Sequence, residues 1–375
     1  MKKIPLIKPE VPLTETIKGI KDVFKSGILT QGPNVLLFEK KIAQYVKTKY
    51  AFSTTSATTA LHLSLAAMGI GSGDEVLVSD FTFPATANVV VRLGATPVLV
   101  DINLDTFNID FSDLEKKITP KTKAIICVDA FGNPINMKAL MGVAQKHGLR
   151  VIEDAACALG SRFGNNMSGS LADAGCFSFH PRKSITTGEG GMIVTSDAEL
   201  AGKILILRNH GGVFDKQLGY SKFIEAGFNY RMSAVQAVMG IAQMKIIERI
   251  IRGRFTIAKK YLKMLSGVKE IILPTFNKES RHTFQSFVIL LDKSVDRDLV
   301  IKKMRRKKIE TTIGTYALHA QPFFVRKYNY KPGDLPNSYV AFLQSLTLPL
   351  YAKLSEKDIK YICSCLSVAI LESKK

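Results

Sequence analysis

Apolar residues along the chain recur at two spacings, one typical of helices and the other typical of strands. Near the amino terminus, Leu13, Ile17, Ile20 and Phe24 lie three or four positions apart, which predicts a helix that ends at Gly27. Beyond this segment, short apolar runs alternate with helical stripes. Because strands that are buried on both faces read as short apolar runs, this alternation predicts a mostly parallel sheet with helices on both faces.

The alternation is regular through the first half of the chain. We predict strands at 75–79, 97–100, 124–128 and 151–153, and further short strands at 175–178 and 192–195. The predicted helices are 58–68, 84–93, 137–147, 199–209 and 234–265. Since ligands of such sheets bind at the carboxyl ends of the strands, we expect the functional residues there.

The pattern changes after Pro274. A strand is predicted at 283–291, followed by helices at 298–308, 339–345 and 356–371. We therefore predict an α/β protein with a large domain over residues 1–250 and a smaller C-terminal α+β domain over residues 251–375. The long helix predicted around this boundary is expected to bridge the two domains.

A carboxylate and a lysine follow two of the predicted strands. Asp154 ends the apolar run at 151–153, and Lys183 lies in FSFHPRKSITTGEGG, residues 177–191, which is rich in hydroxyl groups and glycine. Pyridoxal phosphate requires this combination: the amine bonds covalently to its aldehyde, and the aspartate keeps its ring nitrogen protonated. The sequence therefore predicts this cofactor.

Two more segments suit the same cofactor. Residues 53–60, STTSATTA, precede a predicted helix whose first N–H groups can bind a phosphate, and Ser178 adds a hydroxyl group. Residues 81–84, FTFP, supply an apolar ring at the same sheet edge. Taken alone, the first feature is better explained as a capping cluster and the second as a core phenylalanine, and Asp154 and Lys183 have the alternatives of a helix cap and a surface position. Their order along one sheet edge favours the cofactor.

With these motifs, the chain resembles the DegT/DnrJ/EryC1/StrS family of pyridoxal-phosphate-dependent sugar aminotransferases, which implies the type I aminotransferase fold. The resemblance runs from about Pro5 to about Leu366. Its most specific parts are the motifs EDAA at 153–156, SFHPRK at 178–183 and TTGEGG at 186–191. Supporting matches are FE at 38–39, GDEV at 73–76, TF at 82–83, GATP at 94–97 and GFNYRM at 227–232.

The resemblance implies a role for each matching residue. Lys183 would bond to the cofactor and move protons, and Asp154 would pair with the ring nitrogen. The remaining contacts to the cofactor would come from Phe83 on the ring and from Ala57, Thr58 and Ser178 on the phosphate. Asn229 would reach the phosphate from the neighbouring subunit, so the resemblance implies a homodimer with shared active sites.

The same resemblance implies transfer of the amino group of glutamate to a keto sugar carried on a nucleoside diphosphate. Thr30, Arg231 and His319 would lie near the substrate, although a turn, a salt bridge at a helix start and a histidine between domains explain them equally well. Two other activities stay open on this fold, a sugar dehydratase and a non-catalytic regulator. Lys183 argues against the dehydratase branch, in which a histidine replaces the lysine.

Two departures from the family pattern stand out. After EDAA the family usually has His or Gln, which contacts the ring hydroxyl, whereas this chain has Cys157, a poor hydrogen-bond donor. The family often shows VHLYG where this chain has VDAFG at 128–132. The first departure concerns the tuning of the ring and leaves the lysine chemistry in place.

Composition narrows the class of protein further. The net charge of +20 suits anionic small molecules, and neither aromatic interleaving nor a known motif accompanies the basic residues, so we expect no nucleic-acid partner. No apolar run reaches 18 residues and no apolar core follows the basic start, so we expect no membrane association. The five cysteines and six histidines show no metal-ligand spacing, and we predict a cytoplasmic protein with reduced thiols and no metal.

Overall fold

The computed structural model describes residues 3–374. The helices are α1 (Leu13–Ser26), α2 (Pro33–Val46), α3 (Ala57–Ala67), α4 (Ala85–Arg92), α5 (Phe111–Lys116), α6 (Met137–His147), α7 (Ala198–Arg208), α8 (Ala234–Met244), α9 (Ile247–Leu265), α10 (Arg297–Arg306), α11 (Pro322–Tyr328), α12 (Pro336–Gln344) and α13 (Glu356–Leu371).

The strands of the larger part are β1 (Tyr50–Thr54), β2 (Glu75–Ser79), β3 (Phe81–Thr82), β4 (Thr96–Val100), β5 (Thr122–Val128), β6 (Arg150–Asp154), β7 (Arg162–Phe163), β8 (Asn166–Met167), β9 (Ala174–Ser178), β10 (Gly191–Thr195), β11 (Gly212–Asp215) and β12 (Tyr220–Phe223). Those that follow are β13 (Ile271–Ile272), β14 (Ser280–Arg281), β15 (Phe287–Leu291), β16 (Tyr316–Ala317) and β17 (Ser345–Leu348).

Seven strands form the central sheet in the order β1-β10-β9-β6-β5-β2-β4. The pairs β2–β4, β2–β5, β5–β6 and β6–β9 are parallel, whereas β9–β10 and β10–β1 are antiparallel. The predicted mostly parallel sheet is therefore confirmed. The antiparallel return from β9 to β10 matters for the site, because the loop between these strands carries the predicted lysine.

Helices cover both faces of this sheet, as predicted. Along β2, Val76 and Val78 belong to an apolar core that includes α3, α4 and α7, whereas Leu77 packs on the other face with Leu140 of α6. All of these side chains are buried, and complete burial of each contributes about 1.5–3 kcal/mol. The alternation along the strand fixes its register, since a slip by one residue would exchange the two faces.

The helix predicted over residues 234–265 is two helices, α8 and α9, separated by Lys245 and Ile246. Ile251, in the first half of α9, packs in the core around α2 and α8, whereas Tyr261, in its second half, packs in the C-terminal core. One helix thus contributes to both cores, and the predicted boundary at residue 250 lies inside it. The division into two domains at that residue stays a prediction.

The C-terminal part is built on the antiparallel sheet β13-β15-β17. Its apolar core includes side chains from α9, α10 and α13, and the ring of Phe287 stacks on Tyr261 with 4.9 Å between centroids. Across residues 3–374, no helix is both long and apolar enough to cross a membrane.

Candidate active site

A cavity of about 580 Å³ opens where β5, β6 and β9 end and helix α3 begins. Residues 312–315 and 347–350 of the C-terminal part also line it. It brings together Ala57, Thr58, Phe83, Asp154, Ser178 and Lys183. Six residues that sequence reasoning assigned to one cofactor therefore surround one space, although they span 127 positions of the chain.

Asp154, the last residue of β6, is the buried acid of the cavity. Its Oδ2 accepts a hydrogen bond from the hydroxyl of Thr86 at 2.8 Å, and its Oδ1 accepts one from the N–H of Ala156 at 3.2 Å. Burial raises the pKa of Asp154, while these two donors and the charge of Lys183 act in the opposite direction. A carboxylate fixed in this way is ready to hold a cationic group inside the cavity.

Thr86 is a site residue that sequence reasoning missed. It lies in the first turn of α4, and its hydroxyl is also 3.0 Å from the hydroxyl of Thr82. The contact with Asp154 joins residues 68 positions apart, so no local pattern reveals it. Thr86 belongs to the site because the sheet brings α4 to the end of β6.

Lys183 lies in the loop between β9 and β10. Two backbone hydrogen bonds close this loop: Phe179 N–H donates to Gly190 O at 2.9 Å, and Thr187 N–H donates to Phe179 O at 2.9 Å. The side chain of Gln243 on α8 accepts from Thr186 N–H at 3.0 Å and donates to Thr186 O at 2.5 Å. The loop is therefore tied to the sheet and to a neighbouring helix, which holds the lysine in place.

The start of α3 forms the phosphate end of the cavity. Ser56 caps the helix: its hydroxyl accepts from Thr59 N–H at 3.1 Å, and the hydroxyl of Thr59 accepts from Ser56 N–H at 3.0 Å. Ala57 and Thr58 follow the cap, at positions whose N–H groups have no partner within a helix, and both line the cavity. This end of the helix is suited to an anion.

Gly191 explains part of the glycine-rich motif. It begins β10 opposite Ser178, and a Cβ at this position would overlap the backbone carbonyl of Ser56. Only glycine lets β10 approach the turn before α3 so closely. The strand after the lysine loop and the phosphate end are thus packed against each other.

The ring of Phe83 is 65% exposed and lines the cavity between the other groups. A flat, accessible apolar ring, a buried carboxylate, an amine and a helix start are what pyridoxal phosphate requires. The residues present therefore fit this cofactor.

Comparison with known proteins agrees with this geometry. Residues 13–367 match the model of the DegT/DnrJ/EryC1/StrS aminotransferase family. The chain belongs to this family.

The similarity to individual members spans nearly the whole chain. GDP-perosamine synthase of Caulobacter vibrioides is 39% identical over 372 residues, which cover 98% of this chain and 99% of that protein. Spore coat polysaccharide biosynthesis protein SpsC of Bacillus subtilis is 37% identical over 356 residues, 92% of each chain. The PLP-form of the sugar aminotransferase Spr1654 from Streptococcus pneumoniae has a TM-score of 0.93 at 27% identity over 99% of each chain. The predicted family and its type I aminotransferase fold are confirmed.

One departure from the family pattern places a thiol beside the lysine. The Nζ of Lys183 donates a hydrogen bond to the Sγ of Cys157 at 3.1 Å. Cys157 lines the cavity, so this departure lies within the site itself.

The other departure is explained by a buried contact. Asp129 accepts from Ile135 N–H at 2.9 Å and from the hydroxyl of Ser168 at 2.5 Å, and Glu153 accepts from Gly169 N–H at 2.7 Å. Burial raises the pKa of Asp129 to about 6 and raises that of Glu153, whose pKa the charge of Asp129 raises further. The aspartate at this position ties two loops to the end of β5.

Three predicted site residues lie together on the surface, outside the cavity of their own chain. Asn229 is exposed and pairs through its backbone with Asn209, whose Oδ1 accepts from Arg231 Nη1 at 2.5 Å. Thr30, also exposed, pairs through its backbone with Ser233. The contacts assigned to these three residues stay predictions. Their position together on the surface is relevant to the proposed dimer.

His319 is fully buried and does not line the cavity. Its backbone N–H donates to Asp80 Oδ1 at 2.7 Å, and its Nδ1 lies 2.6 Å from Asp80 Oδ2. This bond connects the carboxyl end of β2 to the segment after β16. The assigned contact of His319 with the substrate stays a prediction.

Proposed function

We propose that this protein transfers the amino group of glutamate to a keto sugar carried on a nucleoside diphosphate. The observation that carries the proposal is the shared cavity of Lys183 and Asp154 in a member of a sugar aminotransferase family. The name of GDP-perosamine synthase, given to relatives that are 39%, 34% and 33% identical, supports a sugar on a nucleotide as the acceptor.

The predicted cofactor, pyridoxal phosphate, is confirmed by the family match and by related structures solved in PLP-form and PMP-form. When bound, it supplies an aldehyde that takes up an amino group and a ring that accepts an electron pair from carbon. The chain's own residues hold this group and move the protons.

We assign the proton transfers to the Nζ of Lys183. It removes the proton from the α carbon of glutamate, and in the second half of the reaction it delivers a proton to the sugar carbon that receives nitrogen. The 3.1 Å contact with Cys157 shows that the amine can face the cavity interior. Its fixed loop keeps it within reach of both substrates in turn.

Asp154 keeps a proton on the ring nitrogen by placing a negative charge beside it. The hydroxyl of Thr86 donates a hydrogen bond to one oxygen of this carboxylate. This bond fixes the orientation of the carboxylate while Lys183 moves protons. The amides of Ala57 and Thr58 and the hydroxyl of Ser178 hold the phosphate. The cavity geometry and the family pattern support these assignments.

We also propose a homodimer in which Asn229 completes the partner's phosphate site. The surface group around Asn229 supports this, because it lies outside its own cavity and close in sequence to exposed apolar residues. These are Ile28, Leu29, Phe214, Phe223 and Ile224, each at least 48% exposed. Exposed apolar side chains in such number are typical of a protein interface.

Mixing of two inactive variants tests the shared site. Lys183→Ala and Asn229→Ala chains, each inactive or impaired alone, regain activity after unfolding and refolding together, because one site of each mixed dimer then has both residues. Recovery no greater than the sum of the separate variants would show that Asn229 acts within its own chain.

The activity is tested with a panel of keto sugars on nucleoside diphosphates, incubated with glutamate and followed by product mass. We expect an amino sugar and an equal amount of 2-oxoglutarate from at least one of them. A dehydrated sugar without nitrogen would favour the dehydratase. Protein without an absorbance band from lysine-bound cofactor and without turnover would favour a regulator. The cytoplasmic location stays a prediction from cysteine usage.

A further inference from the structure

The side chain of Arg182, next to the lysine, is not used by the cofactor contacts described above. It is exposed and lines the cavity. Among the described residues that line this space, Arg182 and Lys183 are the only lysine or arginine side chains, and the proposed function uses Lys183 to bond to the cofactor. His180 does not replace them, because burial lowers its pKa, and the charges of Lys183 and Arg182 lower it further against the opposite effect of Glu189.

The backbone of Arg182 is fixed from both sides. Its N–H donates to His180 Nδ1 at 3.1 Å, and its carbonyl accepts from Gln285 Nε2 at 2.7 Å. The carbonyl of Gln285 in turn accepts from the buried guanidinium of Arg254. The direction in which the Arg182 side chain leaves the backbone is therefore set by three elements of the fold.

The guanidinium of Arg182 is nevertheless unpaired within the described part of the chain, where it takes part in no ion pair or side-chain hydrogen bond. Of the nearby carboxylates, Glu310 pairs with Lys3 Nζ at 2.5 Å, and Glu189 is exposed and forms no ion pair with Arg182. A planar group with five N–H donors thus borders the cavity without an ion-pair partner among residues 3–374.

We propose that Arg182 binds an oxyanion of a substrate at the mouth of the cavity. The inference rests on the proposed function, in which both substrates are anionic: glutamate has carboxylates and the nucleotide sugar has a diphosphate. Arginine pairs with either group through two parallel hydrogen bonds. Arg182 is therefore a specificity residue that sets the affinity for one of them.

The test uses the holoenzyme and the variants Arg182→Gln and Arg182→Lys. One arm measures the affinity of 2-oxoglutarate, and the other measures that of GDP, both by calorimetry. We expect Arg182→Gln to weaken one of the two by at least about tenfold, or about 1.4 kcal/mol. Arg182→Lys is expected to lose less, because it keeps the charge but not the two parallel bonds. The arm that changes identifies the source of the oxyanion.

Arg306→Gln is the matched control, since Arg306 is exposed on α10 and does not line the cavity. It removes the same charge and is expected to change both affinities by less than about twofold. Changes below twofold in both arms for Arg182→Gln, or equal changes in Arg182→Gln and Arg306→Gln, would overturn the proposal. Because the probes bind without turnover, failure of the proposed reaction is seen separately, as the absence of amino sugar from the wild-type enzyme.

Discussion

The carboxyl edge of the central sheet and the core of the C-terminal part are both buried, but they bury different groups. At the sheet edge, Glu153 and Asp154 end β6, Asp129 directly follows the neighbouring strand β5, and all three are almost fully buried. In the C-terminal core, Phe287 and Tyr261 stack among aliphatic side chains. Burial of carboxylates costs stability, whereas burial of apolar side chains supplies it. The comparison separates the buried carboxylates beside the cavity from the apolar packing that stabilises the fold, both in the C-terminal core and on the two faces of the central sheet.

The strongest test of this separation is Lys183→Ala. We expect turnover to fall by about 10⁴-fold, because the variant loses the amine that bonds to the cofactor and moves protons. The unfolding temperature should change by less than about 2 °C, since the residue is only partly buried. Release of 2-oxoglutarate from glutamate measures the rate. The control is Lys203→Ala on the surface of α7, and a variant within tenfold of wild type at position 183 would end the assignment.

Phe287→Ala tests the other region. Its side chain is fully buried, so the change should lower the free energy of unfolding by about 3–5 kcal/mol. Urea unfolding measures this loss, and the absorbance of the bound cofactor should persist in the folded variant. Ile272→Ala on the adjacent strand is the control: at 57% exposure it should cost less than about 1 kcal/mol. Equal losses at the two positions would contradict the packing described here.

Asp154→Asn separates charge from shape at the sheet edge. The amide keeps the size of the carboxyl group but removes its charge, so we expect kcat to fall by about 10²-fold. Stability should change little, because burial already raises the pKa of Asp154 and so disfavours its charge. Measurements of kcat and of urea unfolding are compared with those of Asp105→Asn, an exposed site. A rate near that of wild type would exclude the ring-nitrogen role.

The smallest expected effect is a pH dependence of stability from Asp129 and Glu153. Their raised pKa values mean that the folded state binds protons more tightly, so their contribution is complete below about pH 4. It is lost as pH rises through the raised pKa values, of which that of Asp129 is about 6. Glu153→Gln removes one titrating group and keeps its shape. Above about pH 5, wild type should lose up to about 1 kcal/mol per pH unit relative to this variant as Glu153 ionises.

Urea unfolding at several pH values measures this difference. Stability curves that differ by a constant amount at every pH would contradict the predicted titration, and a constant loss in Glu153→Gln would point to a weakened hydrogen bond to Gly169 instead.

Much of the fold followed from local patterns. The apolar runs of β2, β5 and β6 predicted a parallel sheet because their periodicity is a property of each segment alone. The break between α8 and α9 escaped prediction, since neither proline nor glycine marks it and the helical spacing continues across it. The break separates α8 from α9, and α9 reaches the C-terminal core. It therefore depends on tertiary packing and not on the local sequence.

The sequence by itself determined the chemical groups of the site, since Lys183 and Asp154 stand in motifs whose residue types and order few other functions require. Only the tertiary structure decided which groups meet. It brought Thr86 to Asp154, put Cys157 against the lysine amine and, among residues 3–374, left the Arg182 side chain at the cavity without an ion-pair partner. These relations join positions that are distant along the chain, and their contacts depend on how strands and helices pack in three dimensions, which no local spacing encodes.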